Sequence, residues 1–310
     1  MLRGVCVYML LGVSVAMMAY ARAAEEQRES PADAAGTLRV TALTFNIRYS
    51  TKSDGPNRWD LRRDLVRTLL LREMPDFVGL QEALPEQVAF VRESLPGYSV
   101  LVRSREVDSA RGEAVPLFYR EDRWQLDAES HGTFWLSETP DVPGSKSWQS
   151  SLPRVTTWGR FTQVDSGIVV WVYNTHFDHL SENARTESAK LIARHIAEHA
   201  KDDAVVVMGD MNAVSSSPAL KTFLGGPLQL VDVYMAAHRQ EREPGTFHGF
   251  TGKRDGSRID FQLAGPARWL RVVDARVLYD HDGDRYASDH FPVLATMEWP
   301  VPKPAKPDSQ

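Results

Sequence analysis

The stretch from Val205 to Asn212 places two polar side chains where they could do chemistry. Its first four residues, Val-Val-Val-Met, are typical of a buried strand. Gly209 then allows a sharp turn, which leaves Asp210 and Asn212 at the C-terminal end of the strand, where ligands of α/β sheets usually bind. Two residues apart, the carboxylate and the carboxamide can meet one small polar target. An ordinary Asp/Asn turn would give the same sequence, so the pair must be weighed with the rest of the chain.

Comparable polar residues lie at the ends of the other predicted strands, and one of them opens a strand. The full set is Asn46, Glu82, His176, Asp178, Asp210, Asn212, Asp260, Asp289 and His290. Each has an ordinary alternative, because asparagines favour turns, acidic residues stabilise helix starts and histidines can be satisfied in a core. Their shared position predicts that they converge on one rim of a sheet.

This set of residue types fits metal-assisted hydrolysis of a phosphoester. Glu82 and Asp289 are hard oxygen ligands of the kind that suits Mg²⁺. The abundance of carboxylates and the lack of cysteine in the mature chain argue against zinc. His176, together with the metal, can neutralise charge on the phosphate oxygens.

The attacking water needs a group that orients it and accepts its proton. Asp210, held with Asn212, can orient the water. His290 can act as general base or hold the phosphate, provided that a carboxylate fixes its tautomer, and Asp260 is the natural candidate for that carboxylate. The residues leave open which of Asp210 and His290 takes the proton.

The elements that position these residues do not alternate simply between strand and helix. Strands are predicted at Leu38–Ile47, Phe77–Leu80, Tyr98–Val102, Val115–Tyr119, Thr156–Val164, Ile168–Thr175, Val205–Met208, Ile259–Leu263, Leu270–Leu278 and Val293–Met297. Helices are predicted at Trp59–Glu73, Pro85–Leu95, Ser181–Lys201 and Pro218–Phe223. Because several neighbouring strands are joined by hairpins, the pattern favours an α/β protein with mixed sheets covered by helices.

The N-terminus predicts export. Arg3 precedes an apolar run over residues 5–20, and Ala21-Arg22-Ala23 supplies a cleavage site, so residues 1–23 are predicted to be a signal peptide. A retained anchor is the alternative, but the run is short for a span of about 20 residues. We therefore expect a periplasmic or secreted protein with no stable membrane insertion after cleavage, composed of a flexible leader over residues 24–37, one domain over 38–299 and a disordered tail over 300–310.

Composition narrows the function further. The 310-residue chain is 43% hydrophobic and 25% charged, as in an ordinary globular protein. Its single cysteine, Cys6, lies in the predicted signal peptide, which excludes disulfides and thiol catalysis in the mature chain. Loss of that segment takes the net charge from −5 to −7, because Arg3 and Arg22 leave with it. Without a basic stripe, tight sequence-independent binding to long DNA is disfavoured.

Six short motifs, taken in order, resemble the successive motifs of the endonuclease/exonuclease/phosphatase superfamily. They are Thr44-Phe45-Asn46-Ile47, Leu80-Gln81-Glu82, Asn174-Thr175-His176, Gly209-Asp210-Met211-Asn212, Ser257-Arg258-Ile259-Asp260-Phe261 and Ser288-Asp289-His290-Phe291-Pro292-Val293. The resemblance runs from about Leu38 to Trp299. It implies a four-layer α/β sandwich with two central mixed β-sheets flanked by helices. It also implies Mg²⁺ or Mn²⁺ dependence, with Glu82 as the principal metal ligand and Asn46 nearby, and an Asp260–His290 dyad.

The segment from Phe134 to Trp148 is similar to a subgroup of exported bacterial members whose substrates are mostly unassigned. Arg48 departs from the nuclease pattern, because many nucleases of the superfamily have an acidic residue two positions after the strand-one asparagine. This departure puts a second metal and abasic-site chemistry in doubt, and it suggests that Arg48 binds a second anionic group. Asp178 and Trp148 are further candidate substrate contacts, although Trp148, like Phe247, could equally pack the loops.

These observations predict a Mg²⁺-dependent phosphoric ester hydrolase that acts on a small or lipid-derived phosphate ester. A secreted metal-dependent nuclease is the alternative, and a catalytically silent binding module on the same fold is a second one. A monomer is the default expectation. The substrate, the number of metals and the preference for diesters or monoesters stay open.

Overall fold

Two six-stranded sheets form the centre of the molecule, in a computed structural model that describes residues 37–239, 241 and 243–300. The strands are β1 Thr37–Asn46, β2 Phe77–Gln81, β3 Tyr98–Leu101, β4 Leu117–Arg120, β5 Trp124–Trp135, β6 Val155–Gln163, β7 Val169–His176, β8 Ala204–Asp210, β9 Val231–Asp232, β10 Asp260–Gly265, β11 Arg271–Val277, β12 His281–Asp282, β13 Arg285–Tyr286 and β14 Val293–Pro300. Sheet I has the order β11-β14-β1-β2-β4-β3, sheet II has the order β5-β6-β7-β8-β10-β9, and β12 and β13 form a separate hairpin.

Both large sheets are mixed. In sheet I, β1 runs parallel to β2 and antiparallel to β14, with Thr37 opposite Pro300. In sheet II, β8 runs parallel to β7 and antiparallel to β10. The parallel pairs β1/β2 and β7/β8 therefore bring two strand C-termini together in each sheet.

The described part of the chain forms five α-helices, and most of them cover the outer faces of the two sheets. They are α1 Trp59–Glu73, α2 Pro85–Ser94, α3 Glu182–His199, α4 Pro218–Leu224 and α5 Val233–Ala237, with a 3₁₀ segment at Lys52–Asn57. Helices α1 and α2 pack on sheet I, and α3 and α4 pack on sheet II. None of the helices in the described ranges is long and apolar enough to cross a membrane.

The central strands are apolar on both faces because each lies between two cores. On β8, Val205 and Val207 face the helices, whereas Val206 and Met208 face the opposite sheet. The alternation explains why this strand reads as a continuous apolar run. The order of layers is helices, sheet I, sheet II, helices, so the expected fold class, a four-layer α/β sandwich with two central mixed sheets, is confirmed.

Two buried amides link the sheets across their apolar interface. The side chain of Asn174 on β7 donates to the carbonyls of Leu80 and Pro116, each at 2.9 Å, and accepts from Gln81 Nε2 at 2.7 Å. Gln262 on β10 donates to the carbonyls of Ala42 and Val293, at 2.9 and 2.7 Å. Such bonds have defined geometry, so they fix the position of one sheet on the other.

Most predicted elements occur close to their predicted bounds, and α1 has the predicted bounds. Helix α3 is capped by Ser181, whose Oγ accepts from Ala184 N at 3.1 Å. The long strand β5 was not predicted. It is an edge strand with much of its length partly exposed and with an irregular register between Leu126 and His131, so it lacks the apolar alternation that marks a half-buried strand. The predicted signal peptide, the leader up to residue 36 and the tail from residue 301 lie outside the described residues.

Candidate active site

Three predicted site residues lie side by side on neighbouring strands of sheet II. The register pairs His176 at the end of β7 with Asp210 at the end of β8, and pairs Asp210 with Asp260 at the start of β10. Directly paired residues project from the same face of a sheet. All three are buried, so the sheet delivers one imidazole and two carboxylates to one place.

Sheet I brings its residues to the same place from the other side. The β1/β2 register pairs Asn46 with Gln81, so Glu82 follows directly at the end of β2. Glu82, Arg48 and Asn212 all adopt left-handed backbone conformations, with φ of 58°, 53° and 44°. Such conformations are uncommon for residues other than glycine and cluster at functional sites.

Polar groups from both sheets surround the carboxylate of Asp210. Asn46 Nδ2 donates to Asp210 Oδ2 at 3.0 Å and also lies 3.1 Å from Glu82 Oε1. The backbone N–H of Asn212 donates to Asp210 Oδ1 at 2.9 Å. His176 Nε2 and His290 Nε2 lie 3.5 and 3.8 Å from Asp210 Oδ2. Donors from both sheets therefore hold this carboxylate in one orientation.

Asp260 and His290 form the expected dyad geometry. His290 Nδ1 donates to Asp260 Oδ2 at 2.9 Å, and both side chains are buried. Burial opposes the charged imidazole, but the charges of Asp260, Asp210 and Asp289 outweigh it and raise the pKa of His290 to about 10. His290 is therefore an imidazolium at neutral pH, with its Nε2 proton directed away from Asp260.

The pKa values of Asp210 and His176 shift in opposite directions. Burial, together with the charge of Asp260, raises the pKa of Asp210 to about 7. Burial, followed by the charges of Arg154 and Arg105, lowers the pKa of His176 well below its usual value. At neutral pH the site thus contains a neutral His176 and an Asp210 that can gain or lose a proton.

A cleft of about 490 Å³ opens above these residues. It is lined by Arg48, Tyr49, Glu82, Arg105, Glu113, Leu152, Arg154, His176, His179, Asp210, Asn212, Phe247, Ile259, Asp289 and His290. Of the predicted catalytic and metal-binding residues, only Asn46 and Asp260 are not among the lining residues; they contact Asp210 and His290 from behind. A larger groove of about 780 Å³ beside α2 contains none of the predicted residues.

Two of the candidate substrate contacts lie elsewhere. Asp178 is 1% exposed, and its carboxylate accepts from the backbone N–H groups of Ser151, Leu180 and Ser181 at 2.8 to 3.0 Å. It therefore anchors the loop before β6 and the start of α3. Trp148 is not among the residues lining the cleft, and its carbonyl accepts from Ser181 Oγ at 2.8 Å. Neither residue enters the substrate contacts proposed below.

Arg48 lines the cleft and is already paired with a carboxylate of the protein. Its guanidinium donates to both oxygens of Asp54, at 3.0 and 3.2 Å. It also lies 3.9 Å from Glu82 Oε2 and 4.0 Å from Asp289 Oδ2. Arg48 therefore partly neutralises the two carboxylates that were expected to bind metal.

The donor set fits a hard divalent cation. Glu82 and Asp289 both face the cleft and offer carboxylate oxygens. Burial raises the pKa of Asp289, and the nearby Glu82 adds to the rise, although His290 and Arg48 oppose it. Excess negative charge of this kind favours a cation. Asn46 presents its amide N–H group to Glu82, so it positions that carboxylate. In the described chain, Asp210, Asp260 and His290 also have ligand atoms within 4.8 Å of one another, but Nδ1 of His290 is already committed to Asp260.

Several lining residues were not predicted as site residues. Arg154 and His179 are the clearest, and Arg105 and Glu113 are two further ones that lie in the loop between β3 and β4. The position of Arg154 immediately before the buried strand β6 was a usable signal, because a charged side chain is seldom placed there unless it has a polar partner. His179 follows the His176 motif by three residues, where it could have been read as a rim residue.

Comparison with known proteins agrees with this geometry. A profile of the Endonuclease/Exonuclease/phosphatase family matches residues 43–290. The chain is 34% identical to an endonuclease/exonuclease/phosphatase from Bacteroides vulgatus, covering 84% of this chain and 99% of that one with a TM-score of 0.78. It is 31% identical to a mannosyl-6-phosphatase from Bacteroides thetaiotaomicron, covering 83% and 99% of the two chains with a TM-score of 0.76.

A viral relative matches a shorter stretch. Protein L388 of Acanthamoeba polyphaga mimivirus is 28% identical over 183 residues, which are 56% of this chain and 67% of that protein. The family profile spans the strands, loops and buried residues that build the cleft, from β1 to His290. The chain belongs to the Endonuclease/Exonuclease/phosphatase family.

Proposed function

We propose that this protein is a divalent-metal-dependent hydrolase of small or lipid-derived phosphate esters. The main support is the position of the Asp210 carboxylate, which accepts from Asn46 and Asn212 and lies 3.5 and 3.8 Å from Nε2 of His176 and His290, next to an acidic face formed by Glu82 and Asp289. That combination provides a proton acceptor, a cationic imidazole and hard oxygen ligands in one cleft, which are the groups that hydrolysis of a phosphoester requires.

Asp210 is the proposed acceptor of the proton from the attacking water. Its two oxygens are fixed by Asn46 and Asn212, and its raised pKa of about 7 is suited to a general base at neutral pH. His290 is less suited to this role because Asp260 keeps it protonated. We therefore assign the base to Asp210, between the two alternatives that the sequence left open.

His290 and His176 are proposed to contact the phosphate. The imidazolium of His290 offers its Nε2 proton to a phosphate oxygen, where negative charge builds up during the reaction. His176 stays neutral and offers a hydrogen bond without adding charge. A divalent cation such as Mg²⁺ or Mn²⁺, held by Glu82 and Asp289, supplies further neutralisation of the phosphate when bound.

The small-ester preference rests on the shape of the cleft and on one relative. The cleft holds about 490 Å³, which is suited to a small ligand. The Bacteroides thetaiotaomicron protein, 31% identical, is a mannosyl-6-phosphatase, so a sugar phosphate is a suitable first substrate class. The net charge of −5 is less suited to long nucleic acid. We further propose that the protein acts in the periplasm or outside the cell, on the basis of the predicted signal peptide.

The test uses the mature protein with four substrate types. They are p-nitrophenyl phosphate, bis-p-nitrophenyl phosphate, plasmid DNA and inositol phospholipids, each with Mg²⁺ or with EDTA. We expect turnover of a small ester that EDTA abolishes and Mg²⁺ or Mn²⁺ restores. Glu82→Gln should raise the metal concentration needed for half-maximal activity, whereas Glu187→Gln, a surface control paired with Lys190 on α3, should not. Turnover that EDTA leaves unchanged would refute the mechanism, and rapid DNA degradation with poor turnover of esters would favour a nuclease.

A further inference from the structure

One buried cation in the cleft is not used by the proposed mechanism. Arg154 immediately precedes β6 and is 4% exposed. Its Nη2 donates to His179 Nδ1 at 3.0 Å. Its Nε and Nη1 atoms have no hydrogen-bond acceptor among the residues that the structure describes. Buried donors without partners cost free energy. An acceptor that the described residues do not supply, such as a bound anion, would satisfy these donors.

The neighbouring carboxylates do not satisfy Arg154. The nearest is Asp178, whose Oδ2 lies 3.9 Å from Nε and already accepts from the backbone N–H of Ser151 at 2.9 Å. Glu113 is paired through both oxygens with Arg105, at 2.8 Å each. Arg154 therefore retains free donors and positive charge in the wall of the cleft beside His176.

Arg154 also lines a second, very small recess that shares part of its wall with the cleft. This recess holds only about 10 Å³ and is lined by Arg105, Glu113, Ala114, Val115, Arg154, Val155 and His176. A space of that size holds one water at most. A phosphate that reaches Arg154 can therefore place oxygen atoms there but has no room for a second ester group. Tyr49 and Phe247 line the cleft but not this recess, so they are available to the alcohol part of the substrate.

We propose that Arg154 binds the terminal oxygens of the scissile phosphate and thereby selects phosphate monoesters over diesters. This inference rests on the proposed phosphoester hydrolysis and specifies its substrate class. A monoester is close to a dianion at neutral pH and has three terminal oxygens, whereas a diester has one charge and two. The guanidinium keeps N–H donors that no described residue accepts, so it can donate to phosphate oxygens, and its charge attracts a dianion more strongly than a monoanion.

The experiment compares one monoester with one diester. p-Nitrophenyl phosphate and bis-p-nitrophenyl phosphate would be assayed at saturating Mg²⁺ with the wild type, Arg154→Gln, Arg154→Lys and Arg160→Gln. The last is a matched control, since Arg160 lies on β6 outside the cleft and is paired with Asp127. We expect Arg154→Gln to lower kcat/KM for the monoester by about 100-fold and for the diester by less than about 3-fold. Arg154→Lys should lose less, because it retains the charge.

Binding of inorganic phosphate gives an independent readout. Phosphate should raise the Tm of the wild type and of Arg160→Gln, and should raise that of Arg154→Gln much less. If Arg154→Gln does not fold, the ratio of monoester to diester turnover in Arg154→Lys replaces it. Equal losses on both substrates, no loss on the monoester, or a wild type that prefers the diester would each overturn the proposal. A wild type that hydrolyses neither ester refutes the proposed function instead, and the phosphate-dependent Tm then decides on Arg154 alone.

Discussion

The imidazole of His290 is joined to the carboxylate of Asp260 by a hydrogen bond of 2.9 Å from Nδ1 to Oδ2. The two residues belong to different sheets, since Asp260 opens β10 in sheet II and His290 precedes β14 in sheet I. The bond fixes the imidazole ring and leaves Nε2 for the cleft. It also determines how activity should depend on pH.

Activity that requires a protonated His290 should persist at alkaline pH. The folded-state pKa of His290 is raised to about 10, so kcat should decline only as the pH approaches that value. The same sign applies to stability, because the favourable interaction is fully present below the unfolded pKa of about 6.5 and is lost as the pH rises through about 10. Asp260→Asn should shift the alkaline limb of the kcat profile down by about 1–3 pH units.

The control for that shift is Asp127→Asn, which removes a carboxylate paired with Arg160 outside the cleft. Its pH profile should match the wild type. An unchanged alkaline limb in Asp260→Asn would mean that Asp260 does not keep His290 protonated.

Asp210 and Asp178 are both buried aspartates at or just after the end of a strand, but substitution of the two should have different effects. Asp210→Asn should lower kcat by at least about 100-fold, the scale of one acid/base group, with little change in Tm. Asp178→Asn should mainly lower the free energy of unfolding, by about 1–3 kcal/mol, because Asp178 accepts backbone N–H groups at the start of α3. Steady-state kinetics and thermal unfolding of both variants distinguish the roles; a kcat loss in Asp178→Asn as large as that in Asp210→Asn would contradict this separation.

Gly209 should tolerate no side chain. Its φ is 150°, and a Cβ there would lie 2.0 Å from the carbonyl oxygen of Thr175. Gly167 also has a positive φ, of 70°, but a Cβ there would meet nothing within 4 Å. We expect Gly209→Ala to lower the free energy of unfolding by about 1–3 kcal/mol more than Gly167→Ala, as measured by urea denaturation. Since the clash separates β7 from β8, Gly209→Ala should also lose activity; equal stability of the two variants would exclude a close approach of these strands.

Phe247 should affect substrate binding more than chemistry. It is 45% exposed, lines the cleft and packs edge-on against His290 at 5.1 Å between ring centroids. Phe247→Ala should raise KM for p-nitrophenyl phosphate about tenfold, the effect of about 1.4 kcal/mol of binding, and change kcat little. Trp269→Ala is the control, because Trp269 is 43% exposed and lies outside the cleft. A lower kcat at unchanged KM would place Phe247 with the groups that orient His290.

The residue patterns predicted mixed sheets covered by helices and the proposed catalytic and metal-binding residues at the cleft, and the resemblance to the superfamily supplied the four-layer order. Strands that are apolar on both faces, such as β8, are conspicuous, and the polar residue that ends each of them is easy to find. Edge strand β5 was missed because its partly exposed faces give no regular alternation. The short β9 and α5 were missed because elements of 2 and 5 residues have no periodicity to detect.

Asp178 shows what a sequence pattern does not resolve. It ends an apolar run in the same way as Asp210, but its carboxylate is directed at the backbone of the next helix. Only the three-dimensional course of the loop before β6 separates the two cases. Arg154 was missed for a related reason: the burial of its side chain, and the lack of acceptors for its donors, depend on loops that are distant in the chain.

The pairing of Thr37 with Pro300 has a practical consequence for how the protein can be handled. Strand β1 extends over 10 residues, so these paired positions lie about 30 Å from Asn46 and the catalytic end of the sheet. A fusion partner or a surface tether attached to the chain beyond either residue would be joined to the domain at the end of the sheet that is far from the cleft. Immobilised enzyme should therefore keep an unobstructed entrance, whichever end is used for attachment.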